Sequence, residues 1–563
     1  MVRLSACVVN APVRLPVWVG AKPLRKGRGV SDTSGLTVAR STSGFGGRVA
    51  RLGVPSPVIC TRKAVACALE RTRRPNVLLI TTDQQRYDAL GAAGNPLIRT
   101  PVLDGLCAEG TRFQNCYTPS PVCVPARHAL LTGLLPHNNG CVNNGSRLAP
   151  GTPTMMGLLS AAGYVTHGVG KMHFSPPRRS LGFQALELSE EIPAHVEQDD
   201  YLPFLLARGF GHVHEPHGVR SDMYYVPQVS QLPAELHTTA WTADRAAAFL
   251  RGHDQHRPFF LWTSFIKPHP PFDPPVPWNK LYRTVDMPKP FRPEGYRQLQ
   301  TWWMRHQNRY KYREDGPDDT LARTLRAAYY ACVSFIDHHV GRILRVLAAT
   351  GLAQETLVLF TSDHGELLGD YGSWGKRSFL DPSVRVPLIA RWPGHLPAGG
   401  VVTTPVSLVD IMPTVLAAAG VDSAGCRQDG ADLSTLPTAE PRLVCAQLAE
   451  DAHGTYMATD GRLKYFYSAP DDREFLFDLA GQEREERNLA ADPAWAGRLQ
   501  DLRERLAARL RGDGYERPFT GAGWRRYRLP PDPQDPDDDR IFQEARWTDP
   551  WPRIPGYTPE RLK

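Results

Sequence analysis

Leu325, Tyr329, Val333, Ile336, Val340, Ile343 and Leu347 recur at the spacing of one helical face, and Gly351 halts the pattern. An unbroken apolar run over 356–360 follows and empties into Thr361-Ser362-Asp363-His364-Gly365. A helix feeding a strand buried on both sides, with acid and imidazole at its end, is the grammar of a parallel α/β sheet. Residues 77–82 repeat the theme earlier, as a β-rich run that ends at Asp83-Gln84-Gln85. Ligands of open parallel sheets bind at the carboxyl ends of the strands, so both polar clusters are site candidates. The predicted fold class is α/β, with a central, mostly parallel sheet flanked by helices.

Other stretches read differently. Residues 185–320 are rich in Pro, His and aromatics and weakly periodic. Short strands over 456–459, 463–467 and 475–479 precede a helix over about 493–511 with the stripe Trp495, Leu499, Leu502, Leu506 and Leu510. This predicts a small α+β subdomain over 446–514 after a catalytic domain over 75–445. Residues 515–563, with Pro530-Pro531-Asp532-Pro533 and Asp537, Asp538 and Asp539, are expected to form an extended Pro/Asp-rich tail.

The formal charge of +8 is unevenly placed. Residues 1–74 hold 14 of the 66 Lys and Arg but only two of the 58 acids, Asp32 and Glu70, so they carry +12 and the remainder −4. The basic character belongs to this leader, so nucleic acid is not an expected partner. The leader reads as a disordered or non-native extension. Asn10, Pro12, Arg14 and Pro16 break its apolar stretch, which lacks the core of a secretory signal, so a cytoplasmic location is expected. No apolar run approaches the ~18 residues a membrane helix needs, so no span is predicted. Ten cysteines without regular spacing form neither a disulfide framework nor a zinc-finger pattern.

One cysteine stands in a distinctive segment, Cys123-Val124-Pro125-Ala126-Arg127-His128-Ala129-Leu130-Leu131-Thr132-Gly133. Pro125 suits the first turn of a helix, which puts Cys123 at its N-terminus, where exposed amides favour negative charge. Arg127 lies one turn along the same face and can reach an anion held there. By spacing alone, an ordinary loop cysteine beside a surface arginine fits as well.

The pattern Cys-x-Pro-x-Arg, with Thr-Gly after it, resembles the signature of the type I sulfatases of the alkaline phosphatase superfamily. Other segments are similar to that family in its own order. Residues 74–80 leading to Asp83-Gln84 look like its first strand and metal ligands, and Gly170-Lys171-Met172-His173 like its Gly-Lys-x-His segment. Lys267-Pro268-His269-Pro270-Pro271-Phe272, Ser362-Asp363-His364-Gly365-Glu366 with the later Lys376, Arg385-Val386-Pro387-Leu388 and Asp410-Ile411-Met412-Pro413-Thr414 complete the series. The resemblance implies an alkaline-phosphatase-like sandwich with a smaller C-terminal α+β domain. It also implies hydrolysis of a small-molecule or carbohydrate sulfate ester. A separate formylglycine-generating enzyme would convert Cys123 to 3-oxoalanine (Cα-formylglycine), whose hydrated aldehyde is the family's nucleophile.

A sulfate ester is an anion that repels nucleophiles, so its hydrolysis needs a Lewis acid, cations and a strong oxygen nucleophile together. Asp83, Gln84, Asp363, His364 and the modified Cys123 are the expected ligands of one divalent cation. Lys171, Lys376 and Arg127 would neutralise sulfate and nucleophile oxygens; His269 would protonate the leaving alcohol and His173 take a proton from the nucleophile's second hydroxyl. Gln84 replaces the second aspartate of many sulfatases, and His364 an asparagine. These swaps lower the negative charge and add a borderline nitrogen, so calcium is expected first, with manganese or zinc as alternatives. The rival readings are a phosphonate monoester or phosphodiester hydrolase with the same site, a catalytically silent binding protein on this scaffold, and a thiol-based zinc protein. His212, His214 and His217 are expected on a surface loop. Trp302, Trp303, Arg305, Tyr310 and Tyr312 are expected on a partly buried helix face.

Overall fold

The computed structural model describes residues 74–530 except 221–222, 310, 313–315, 437–441 and 483. The leader over 1–73, Tyr310 and the tail beyond 530 lie outside the described residues.

An eight-stranded sheet organises the larger domain. In chain order its strands are β1 (Asn76–Asp83), β2 (Thr111–Phe113), β3 (Val165–Gly170), β4 (Ala185–Leu188), β5 (Phe259–Pro268), β6 (Thr356–Ser362), β7 (Leu388–Arg391) and β8 (Gly400–Val402). Across the sheet they run β8-β2-β7-β6-β1-β5-β3-β4, and β7 alone is antiparallel to its neighbours. The predicted mostly parallel α/β sheet is what the chain forms.

Alternation along each central strand sends side chains to two separate cores. Val77, Leu79, Leu357 and Leu359 pack on one face with Leu130 and Leu131 of α1 (Cys123–Thr132). Leu78, Ile80, Val358 and Phe360 pack on the other with Ala243, Ala246 and Leu250 of α2 (Thr238–Gly252). The same face receives Ile336, Val340, Ile343 and Leu347 of α3 (Asp319–Ala349). All seven stripe residues of α3 are buried, Asp318 caps its start, and Gly351 ends the turn behind it at φ +77°. Each such side chain contributes about 1.5–3 kcal/mol on burial, which is why a two-faced apolar strand settles at the sheet's centre.

The C-terminal subdomain is a four-stranded antiparallel sheet, β9 (Val444–Leu448), β10 (Thr455–Thr459), β11 (Leu463–Ser468) and β12 (Arg473–Asp478). Helix α4 (Ala496–Gly512) covers it with Leu499, Leu502, Leu506 and Leu510. Strand β9 crosses the boundary expected at 445/446, so this unit begins at the short apolar run from Val444. The tail also needs correcting. Phe519–Thr520 pairs with Gly523–Trp524, and Trp524 stacks on Tyr467 with ring centroids 4.6 Å apart while its Nε1 donates to Tyr465 Oη at 2.8 Å. Aromatic stacking on the sheet therefore folds the first part of a segment expected to be extended. Among the described residues no helix is long and apolar enough to cross a membrane.

Candidate active site

Five adjacent parallel strands, β6, β1, β5, β3 and β4, release the chain on one edge of the sheet. They deliver Asp363-His364, Asp83-Gln84, His269, Lys171-Met172-His173 and Glu190-Glu191. Register matters: Thr82 pairs with Ser362, so Asp83 and Asp363 emerge side by side. Gly170 makes the exit of β3 possible, at φ +92°, because a Cβ there would meet the Ser264 carbonyl oxygen at 2.0 Å. Cys123 is the first residue of α1, whose N-terminus has no side-chain cap.

The carboxylates of Asp83 and Asp363, the His364 imidazole and Cys123 Sγ place their ligating atoms within 4.8 Å of one another. All four residues are buried. His364 Nδ1 lies 3.0 Å from the Gly365 carbonyl, an acceptor, so Nδ1 carries the proton and Nε2 presents a lone pair 3.2 Å from Cys123 Sγ. Gln84 stands at φ +72°, a strained conformation for a side-chain-bearing residue, with its amide N–H donating to Asp363 Oδ1 at 3.1 Å. Its Nε2 donates to Glu366 and Tyr225, which leaves Oε1 on the side of Cys123, where Lys376 Nζ reaches it at 2.9 Å. Hard carboxylate and amide oxygens converging with one imidazole nitrogen fit a divalent cation.

The cations divide their work. Lys376 Nζ donates to Cys123 Sγ at 3.0 Å and faces a cavity of about 220 Å³. Cys123, Gln84, His173 and His269 line the same cavity. Arg127 and Lys171 do not, which differs from their expected place on the sulfate. Arg127 donates from Nε to Asp363 Oδ2 at 2.9 Å and from Nη1 to the Lys171 carbonyl and Ser264 Oγ, with Asp83 Oδ2 3.5 Å from Nη2. Lys171 Nζ lies between Asp83 Oδ2 and Glu191 Oε2, 2.5 Å from each. Both are fully buried behind the carboxylates, because two acids brought this close out of water require counter-ions at once.

Electrostatics follow that arrangement. Burial pushes the Cys123 thiol up and so does Asp83, but Lys376, Lys171 and His364 together hold it well below its ordinary value. Burial raises the Glu191 carboxyl, and His269, Lys171 and Arg220 outweigh it and bring it well down. Burial dominates at His269 and drives its imidazole well below the usual range, while the Glu191 carboxylate works against it and favours the protonated ring.

Several residues here went unread in the sequence. Glu190 accepts from the backbone N–H groups of Met172 and His173, fixing the latter at φ +59°. Glu191 meets Lys171, Arg220 and His269. Glu366 accepts from Gln84, Tyr225, Leu368 and Gly375, tying the end of β1 to the loop that carries Lys376. The available signals were Ser189-Glu190-Glu191 directly after a short strand and, for Glu366, its place at the end of Ser362-Asp363-His364-Gly365-Glu366. The three histidines do not converge: His212 is exposed, and His217 is buried against Tyr201, which corrects its expected surface position. Trp302 is buried and Trp303 half-buried on the helix Trp302–Asn308, and both rings pack against His306 and His453.

Comparison with known proteins adds independent findings. The family model described as Sulfatase matches residues 75–421. An arylsulfatase of Clostridium perfringens is 30% identical over 487 residues, covering 78% of this chain and 96% of its own length. A choline-sulfatase of Rhizobium meliloti is 30% identical over 445 residues, covering 75% of this chain and 83% of its own. Among solved structures, the phosphonate monoester hydrolase of Agrobacterium radiobacter superposes with a TM-score of 0.69 at 27% identity, over 78% of this chain and 96% of that one.

Proposed function

This chain belongs to the sulfatase family of the alkaline phosphatase superfamily and is a sulfuric ester hydrolase, and we propose that it acts through a formylglycine made from Cys123. On this reading a formylglycine-generating enzyme modifies Cys123, and the mature protein converts a small-molecule or carbohydrate sulfate monoester to an alcohol and inorganic sulfate. The observation that carries it is the setting of Cys123: the first residue of α1, lining the cavity, with Lys376 Nζ at 3.0 Å and His364 Nε2 at 3.2 Å.

Asp83, Gln84, Asp363, His364 and the side chain at 123 would hold one divalent cation, calcium before manganese or zinc given mostly hard oxygen donors. Bound there, the cation would polarise a sulfate oxygen and lower the pKa of the hydroxyl that the formylglycine hydrate provides. The remaining work falls to the chain's own residues. Lys376 stands beside residue 123 and would neutralise an oxygen of the bound sulfate. Lys171 and Arg127 would act one layer back, holding Asp83 and Asp363 in their ionised, fixed orientations. His269 has Nδ1 2.8 Å from the Pro270 carbonyl, so Nε2 is left to face the cavity and give a proton to the departing alcohol oxygen. His173 has a buried Nδ1 without a hydrogen-bond partner, consistent with a ring held ready to accept a proton from residue 123.

A phosphonate monoester would suit the same donors, and the likeness to the Agrobacterium enzyme favours that second reading. Lys376, His173 and His269 at the cavity favour sulfate, whose loose transition state moves charge onto the bridging oxygen. Turnover of the purified, modified protein on sulfated sugars, aryl sulfates, choline sulfate and phosphonates tests the choice. Sulfate esters should head the ranking; a phosphonate at its head would reverse it.

A further inference from the structure

Glu191 meets two cationic side chains and one imidazole at once. Its Oε2 is 2.5 Å from Lys171 Nζ; its Oε1 is 3.0 Å from Arg220 Nη2 and 3.3 Å from His269 Nδ1. The side chain is only 10% exposed, and it stands at the cavity wall on the loop after β4. His269 Nδ1 thus faces two acceptors, the Pro270 carbonyl at 2.8 Å and the Glu191 carboxylate. A ring nitrogen between two acceptors carries the proton, so the tautomer is settled and Nε2 becomes the nitrogen that exchanges a proton with the cavity. Carboxylates that hold a catalytic imidazole in one tautomer and favour its protonated form act in this way elsewhere.

We propose that Glu191 is a positioning residue for leaving-group protonation: it orients His269 through Nδ1 and favours the imidazolium that donates from Nε2. The same carboxylate, through Lys171, joins this acid to Asp83, so one side chain links the leaving-group acid to a candidate metal ligand. The inference rests on the reading of His269 as the acid. It predicts that Glu191 matters most where the leaving group needs a proton. A nitrophenolate departs well without help; a more basic phenolate or an alkoxide does not.

The test is kcat/KM along a series of aryl sulfates of rising leaving-group pKa, measured on wild type, Glu191→Gln, His269→Ala and the double variant. The slope across the series compares substrates on one preparation, so the fraction of folded and modified protein cancels, as does any uniform effect through Lys171. Glu191→Gln should lose about 10- to 100-fold more on the most basic leaving group than on 4-nitrophenyl sulfate, the range for supporting carboxylates of this kind. The double variant should be no steeper than His269→Ala. If Glu191→Gln yields no soluble protein, Glu191→Asp, which keeps the charge but withdraws reach from the ring, should steepen the same slope. A steeper slope in His269→Ala with a wild-type slope in the Glu191 variants would overturn this inference and leave the acid in place. A wild-type slope in His269→Ala would overturn both.

Discussion

Lys171 offers the sharpest perturbation, because its ammonium is buried between two carboxylates instead of facing the cavity. Lys171→Ala would leave Asp83 Oδ2 with Arg127 Nη2 at 3.5 Å as its remaining cation, and would take from Glu191 the closest of its partners. Stripping one partner from a buried ion pair costs about 3–5 kcal/mol of stability. Removing one preorganised charge contact should lower kcat/KM by ~100-fold or more. Since the lysine works through Asp83, metal affinity should also weaken, by about 10- to 100-fold as for other supporting contacts of metal ligands. Steady-state kinetics on an aryl sulfate, with metal titration of the stripped protein, reads both effects. Loss of turnover at unchanged metal affinity would place the ammonium's work on the sulfate and refute this reasoning. Near-wild-type turnover would remove Lys171 from the machinery altogether.

Asp363→Ala should lose bound metal and nearly all turnover, because it removes charge from the cation and a partner from Arg127; unchanged metal by elemental analysis would contradict the ligand assignment. Gln84→Ala should be milder in both readouts, since a neutral amide contributes less charge than a carboxylate. Wild type should show a higher kcat/KM for an aryl sulfate than for the aryl phosphonate with the same leaving group, and the opposite ranking would move the protein to the second reading. Leu506→Ala, at a fully buried position of α4, should destabilise the C-terminal subdomain by about 2–5 kcal/mol, the range for such core truncations; a change under 1 kcal/mol by denaturant titration would show that α4 adds little to it.

Much of this was legible in the sequence where period and chemistry coincide. The stripe from Leu325 to Leu347 and the run over 356–360 state helix and strand directly, because a helix face and a two-faced strand bury different patterns. Asp83, Gln84, Asp363 and His364 converge because their strands are adjacent and in register, a consequence of parallel topology. Strand β5 was harder to see: Phe259-Phe260-Leu261-Trp262 lies in a Pro- and His-rich stretch whose local composition suggests loop. Side-chain direction was not legible at all. Nothing in the spacing of Arg127 or Lys171 says that they turn inward onto carboxylates, since that depends on the charge those acids bring together. Glu191 escaped notice for the same reason, as its partners come from separate strands and loops. The hairpin at Phe519 and Trp524 depends on stacking against residues some sixty positions earlier, which no local pattern encodes.

The central claim is that the nucleophile is made from Cys123. Peptide mass spectrometry of an active preparation, paired with an aldehyde-reactive probe, reads it directly. The account predicts an aldehyde at position 123 whose occupancy rises and falls with specific activity across preparations. A fully active preparation that carries an intact thiol at Cys123 would contradict it.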